Sequence, residues 1–172
     1  HIELANHLLA LGDCFYVEDM AWPSLTHRAK ETAISEKTGR IKRKKRFGKS
    51  VANKAPATLI GILEQKCNSL GLRGVIKVPT SLRASQYNHQ SGEYTSKPLS
   101  QRWNNMPDGE RIQRDLYSAF LLQHYDPKAG NFDSALLQQD YPQFVQYHHR
   151  AIQRLSTVPK TLSSMGIQRS LR

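Results

Sequence analysis

Three acidic residues stand out for the company they keep. Glu18 and Asp19 close the short run "CFYVED", and Asp115 lies within "QRDLYSAFL", 97 positions after Glu18. In open α/β sheets, ligands and catalytic groups gather beyond the carboxyl ends of strands, so acids placed there can have a function. Asp115 sits one step off an apolar helical stripe and is followed by the small Ser118 and Ala119. Such a carboxylate can be held at a sheet edge with a ligand close by. Taken singly, each acid also reads as a solvated surface group. Their setting is unusual, because Lys and Arg total 25 against 14 Asp and Glu, a net charge of +11. Such a surface attracts polyanions, either nucleic acid or an anionic membrane face.

The elements that must position these acids follow from periodicity. "IELANHLLALG" reads as a helix with Ile2, Leu8, Leu9 and Leu11 on one broad face and Gly12 as its stop. The chain enters that helix at once from His1, so it is expected to begin inside a larger protein. Cys14 to Val17 form a continuous apolar run of strand formers, which predicts a strand over 13–18 covered on both faces. A helix over 56–70, opened by Pro56 and ended by Gly71, and a strand over 73–78 complete an α/β unit with a crossover helix.

Between these elements, residues 21–54 read as a loop or linker. Within it, "RIKRKKRFGK" carries Arg40, Lys42, Arg43, Lys44, Lys45, Arg46 and Lys49, seven cations in ten residues. That density suits displacement of condensed counterions from phosphates. A solvated basic stretch or a localisation signal is the alternative.

Residues 84–109 are polar and turn-rich, and suit a loop or a small inserted subdomain. "ERIQRDLYSAFLLQHY" predicts a helix whose core stripe is Ile112, Leu116 and Phe120. "SALLQQDYPQFVQYHHRAIQRL" predicts one or two amphipathic helices, broken or restarted near Asp140 and Pro142, with Leu137, Tyr141, Phe144 and His148 on the apolar face. His148 and His149 are adjacent and point in different directions, which argues against joint metal binding. From Pro159 the tail is basic and turn-rich, expected to be mobile unless nucleic acid orders it.

No apolar run approaches the roughly 18 residues of a membrane span, and no secretory signal is present. Cys14 and Cys67, the two cysteines, each lie in apolar runs and suit free thiols in a reducing compartment. The expected location is the cytoplasm, with no membrane partner.

"FYVEDM", followed about a hundred residues later by "QRDLYSAFL", resembles the second and third segments of the split RuvC-like nuclease domain of TnpB-type transposon proteins and type V CRISPR effectors. The likeness covers nearly all of residues 1–125, with the altered insertion motif "SQYNHQSG" between the segments. It implies a partial RNase H-like (RuvC-type) α/β fold over residues 1–83 and 110–126. A small target-nucleic-acid-binding insertion would occupy 84–109, C-terminal helices 127–158 and a basic tail 159–172.

The resemblance also implies that Glu18 and Asp115 are catalytic and metal-binding, with a third acid upstream on the rest of the same protein. Mg²⁺ would be the cofactor. Two such ions activate a water and stabilise the leaving oxygen in phosphodiester hydrolysis. Guide RNA and target DNA would be the partners, contacted by the basic loop and by Arg102 and Arg114. These residues alone, short of the third acid, would be inactive. Where the family has metal-binding cysteines, Asn88 and Ser91 stand, so no zinc is expected. Tyr87, Tyr94 and Trp103 then either hold the insertion by packing or stack on unpaired bases. The rival expectation is a nuclease-inactive, RNA-guided DNA-binding protein. A basic structural or ribosome-associated protein would explain the charge but not the pairing of Glu18 with Asp115.

Overall fold

A computed structural model describes residues 1–26, 32, 34–36, 38–41, 47–98, 100–158 and 163–168. Helix α1 (Ile2–Leu9) turns its small Ala5 inward and leads to strand β1 (Cys14–Glu18). Every residue of β1 is half-buried, where coverage of both faces was expected. Among the described residues, β1 pairs with β2 (Gly74–Val78) in a two-stranded sheet. The stretch read as a linker contains two short helices, α2 (Trp22–Thr26) and α3 (Phe47–Lys54), which pack together.

Helix α4 (Pro56–Leu70) begins and ends where its sequence directs. The ring of Pro56 disfavours the right-handed helical conformation for the residue before it. Ala55 accordingly turns left-handed, at φ 40° and ψ 56°, and separates α3 from α4. At the other end Gly71 takes φ 64°, and the N–H of Leu72 donates to the carbonyl of Cys67 at 3.0 Å, closing the last turn.

The second half is built from three small hairpins and two helices. β3 (Tyr87–Asn88) pairs with β4 (Glu93–Tyr94), and β5 (Trp103–Asn105) with β6 (Arg111–Gln113), both antiparallel. β6 runs directly into α5 (Arg114–Gln123). β7 (Tyr125–Asp126) and β8 (Asn131–Phe132) then lead to α6 (Ser134–Ser156).

Two expectations are corrected here. The segment from 110 was read as helix throughout, but Arg111–Gln113 is strand. Pro107, Asp108 and Gly109 supply turn chemistry, with Gly109 at φ 89°, and fold β6 back on β5. Ile112 is therefore a strand residue, and the buried apolar face of α5 is Tyr117, Phe120 and Leu121. The second correction is that α6 is one unbroken helix of 23 residues through Pro142. Pro142 and Gln138, whose carbonyl loses its helical donor, are both exposed, so water can satisfy that oxygen.

The chain divides into two compact units. One comprises His1–Phe15 and Asp19–Ile76; its fully enclosed apolar residues are Ala5, Leu63 and Cys67, and burial raises the Cys67 thiol above its ordinary pKa. The other comprises Tyr16–Glu18 and Lys77–Arg172. Its core draws Ala84 and Met106 from the polar segment, Ile112, Tyr117, Phe120 and Leu121 from β6 and α5, and Phe132, Leu137 and Tyr141 from the C-terminal part. The class is mixed α/β, but each sheet among the described residues has two strands, which does not fit the partial RNase H-like (RuvC-type) fold expected for residues 1–83 and 110–126.

Candidate metal and nucleic-acid site

Asp115 lies in the first turn of α5, where the positive end of the helix dipole favours a carboxylate. Gln113 caps this helix: its Oε1 accepts the N–H of Leu116 at 2.8 Å, and its Nε2 donates to Asp115 Oδ2 at 3.1 Å. Gln113 Nε2 also donates to the carbonyl of Met165 at 3.2 Å, so the capping side chain is held from two directions. Asp115 Oδ1 faces Arg114 Nε at 3.6 Å, beyond hydrogen-bond distance. The Asp115 side chain remains 50% exposed, free to take a further partner.

Glu18 ends β1 and is half-buried, whereas the adjacent Asp19 is exposed. Tyr16–Glu18 belongs to the same compact unit as Asp115, although its flanking residues on both sides belong to the other. Among the described residues, no three His, Cys, Asp or Glu side chains come together as a metal site. The carboxylate oxygens of Glu18 and Asp115 fit Mg²⁺ in kind, since that ion takes a few hard carboxylate ligands and completes its shell with water and substrate oxygens.

Of the expected cations, Lys42, Arg43, Lys44, Lys45 and Arg46 lie outside the described residues. Arg40 is exposed beside an isolated antiparallel bridge between Ile34 and Ile41, and Lys49 is carried by α3. Arg102 is half-buried. Arg114 is 7% exposed and donates from Nη1 to the carbonyl of Pro98 at 3.3 Å.

The aromatic candidates are engaged within the protein. Tyr87 stacks on Phe132 at 5.4 Å and lies 4.9 Å from Tyr94 across the β3–β4 hairpin, while the Arg83 guanidinium sits over the Tyr94 ring at 4.7 Å. Trp103 donates from Nε1 to the carbonyl of Gly166 at 2.9 Å and carries Arg111 over its ring at 4.8 Å. Packing therefore occupies all three rings, and Tyr94, 41% exposed, keeps the most open surface. Asn88 and Ser91 serve their own turn: Asn88 Oδ1 accepts the N–H of Gln90 at 3.0 Å and Ser91 Oγ that of Glu93 at 3.3 Å.

Several polar residues outside the expected site are buried. His89 is 7% exposed, and its Nδ1 lies 2.7 Å from Tyr117 Oη, which also accepts the His89 backbone N–H at 3.1 Å. Burial holds the His89 ring below its ordinary pKa and so favours the neutral imidazole, whose Nδ1 shares one hydrogen with Tyr117 Oη. Tyr117 is correspondingly pushed up by burial. His148, 3% exposed, accepts the Gln113 backbone N–H on Nε2 at 3.0 Å. It is held neutral first by burial and then by the neighbouring His149. Asn104, 3% exposed, accepts from Lys97 Nζ at 2.9 Å through Oδ1. Desolvation, followed by the nearby Arg114, lowers the Lys97 ammonium. The apolar stripe of α6 did include His148, but its partner is 35 residues away, and nothing local specifies such a pairing.

No protein-family model, curated protein or solved structure matches the chain.

Proposed function

We propose that the chain supplies Glu18 and Asp115 to a Mg²⁺-dependent, RNA-guided DNA endonuclease of the RuvC type, and that its positive charge holds guide RNA and target DNA. The observation that carries this reading is the grouping of Tyr16–Glu18, apart from its sequence neighbours, with the unit containing Asp115. The grouping is made through β1, which pairs with β2, the last two residues of which, Lys77 and Val78, belong to that unit. The exposed half of Asp115, steadied by Gln113, suits a ligand that must also exchange water and substrate oxygens. When bound, divalent metal would activate a water and neutralise charge on the scissile phosphate. Glu18 and Asp115 would hold it, and the surrounding cations would orient the nucleic acid backbone.

A guided cleavage assay on the intact polypeptide tests the reading. Glu18→Ala and Asp115→Ala should each abolish Mg²⁺-dependent cutting and leave guided binding in place, because affinity comes from base pairing and backbone contacts. Asp19→Ala should cut nearly as well as the unaltered protein, since Asp19 lies past the end of β1 and is exposed. Full cutting by Asp115→Ala would overturn the site. Intact binding with no cutting by the unaltered protein would favour the nuclease-inactive targeting role.

A further inference from the structure

We propose that Lys97, Asn104 and Arg114 form a phosphate subsite beside Asp115, which takes a backbone phosphodiester of the bound nucleic acid; the assignment to nucleic acid rests on the function proposed above.

The three side chains come from separate stretches brought together by the β5–β6 hairpin. Lys97 and Pro98 precede β5, Asn104 is its middle residue, and Arg114 follows β6, with the Arg114 N–H donating to the carbonyl of Arg102 at 2.9 Å. What marks the place is an excess of donors. Asn104 is enclosed, and its Oδ1 must face Lys97 Nζ, because an ammonium can only donate. The amide Nδ2 is then left buried with no hydrogen-bond partner. Arg114 Nε is likewise buried without one. Among the described residues, the sole hydrogen bond from the Arg114 guanidinium is Nη1 to Pro98 O at 3.3 Å. Lys97 Nζ is half-buried, spends one of its three donors on Asn104, and lies close enough to Arg114 for the two charges to oppose each other.

Among the described residues, the one carboxylate facing these two partly desolvated cations is Asp115, half-exposed and 3.6 Å from Arg114 Nε, an unfavourable arrangement unless an anion completes it. Unsatisfied buried donors add to that cost. A guanidinium, an ammonium and an amide N–H are the donors that recognise phosphate. A phosphodiester seated there lies next to Asp115, where the proposed metal chemistry needs a phosphate to be positioned.

The test uses the full chain and two probes. The first is inorganic phosphate, read as the rise in thermal midpoint over chloride at matched ionic strength. The second is a labelled single-stranded oligonucleotide, read as the slope of log affinity against log salt. Lys97→Gln should lose the phosphate-induced rise, bind the oligonucleotide about tenfold more weakly, and show a slope shallower by about 0.7. Lys97→Arg should restore the slope. Arg114→Lys keeps the charge but not the fork, so it should keep the slope and still weaken phosphate binding. An unchanged slope and an unchanged phosphate response in Lys97→Gln, with its circular dichroism intact, would overturn the subsite. If Arg114→Lys fails to fold, the Lys97 pair decides alone. A phosphate response lost in Lys97→Gln while oligonucleotide binding is untouched would mark an adventitious ion only. Failure of the nuclease reading is separable: Lys97→Gln would still lose its phosphate response while the unaltered protein cut no DNA.

Discussion

The two units differ most in what they bury. The unit of His1–Phe15 and Asp19–Ile76 encloses Ala5, Leu63 and Cys67 and carries its charged pair outside, with Arg73 Nη2 2.6 Å from Asp13 Oδ1 at an exposed position. Among the described residues, the unit of Tyr16–Glu18 and Lys77–Arg172 encloses eleven apolar residues and, with them, His89, Asn104, Gln113, Arg114, His124 and His148. Burying polar groups costs free energy unless each finds a partner. The second unit meets part of that cost with specific pairs, His89 with Tyr117 and the Gln113 N–H with His148 Nε2 among them, and leaves Gln90 Oε1, Asn104 Nδ2, Arg114 Nε, Tyr141 Oη and His148 Nδ1 buried without a partner. Apolar burial alone makes a unit stable. Polar burial holds particular atoms in fixed positions, and two of these residues, Gln113 and Arg114, adjoin Asp115.

The largest effect that would sharpen this contrast is a cavity. Leu137 is fully buried in the larger core, and Leu63 is 4% exposed in the smaller one. Leu137→Ala should cost about 3–5 kcal/mol and Leu63→Ala about 2–3 kcal/mol, the difference following how far each site can collapse. Urea unfolding measures both. Trp103 reports the larger unit and Trp22 the smaller, the chain's two tryptophans falling one in each. A greater loss for Leu63→Ala would break the comparison.

A smaller effect comes from acid. His89 and His148 both have pKa values held below the ordinary 6.5 in the folded state, chiefly by burial. Their unfolded forms therefore bind protons first as pH falls. The stability they contribute is fully present above pH 6.5 and is lost as pH drops from there through the lowered folded values. The decline cannot exceed about 1.4 kcal/mol per pH unit for each histidine. Around His148 the facing charges are His149 and Glu110; around His89 they are Asp108 and His124. Unfolding followed by Trp103 across this range should show the decline, and His148→Gln should reduce it. Stability that rises on acidification would contradict neutral burial of these rings.

Much of the fold was legible because its signals are local. The strand ending at Glu18 was visible in a run of strand formers, and α4 in Pro56 and the left-handed Gly71 that bracket it. The β5–β6 hairpin was missed although Pro107, Asp108 and Gly109 announce a turn, because Ile112, Leu116 and Phe120 also fit a helical stripe. Gln113 was missed because it is not among the preferred caps of helices, yet its side chain does that work. The continuity of α6 through Pro142 depends on which side of the helix meets water, and that is settled by packing. Glu18 and Asp115 were named from their types and surroundings. Lys97 and Asn104 were not, since burial by distant partners leaves no mark on the residues beside them.

The most direct measurement of the central claim is Mn²⁺ binding, followed by its electron paramagnetic resonance signal, in the intact polypeptide. If Glu18 and Asp115 hold one metal centre, Glu18→Gln and Asp115→Asn should each weaken Mn²⁺ uptake by about tenfold or more, and the double variant should be little worse than either, as ligands of a shared centre are strongly coupled. Lys97→Gln should leave that uptake unchanged. Independent and additive losses, or uptake indifferent to one of the two acids, would contradict a shared centre.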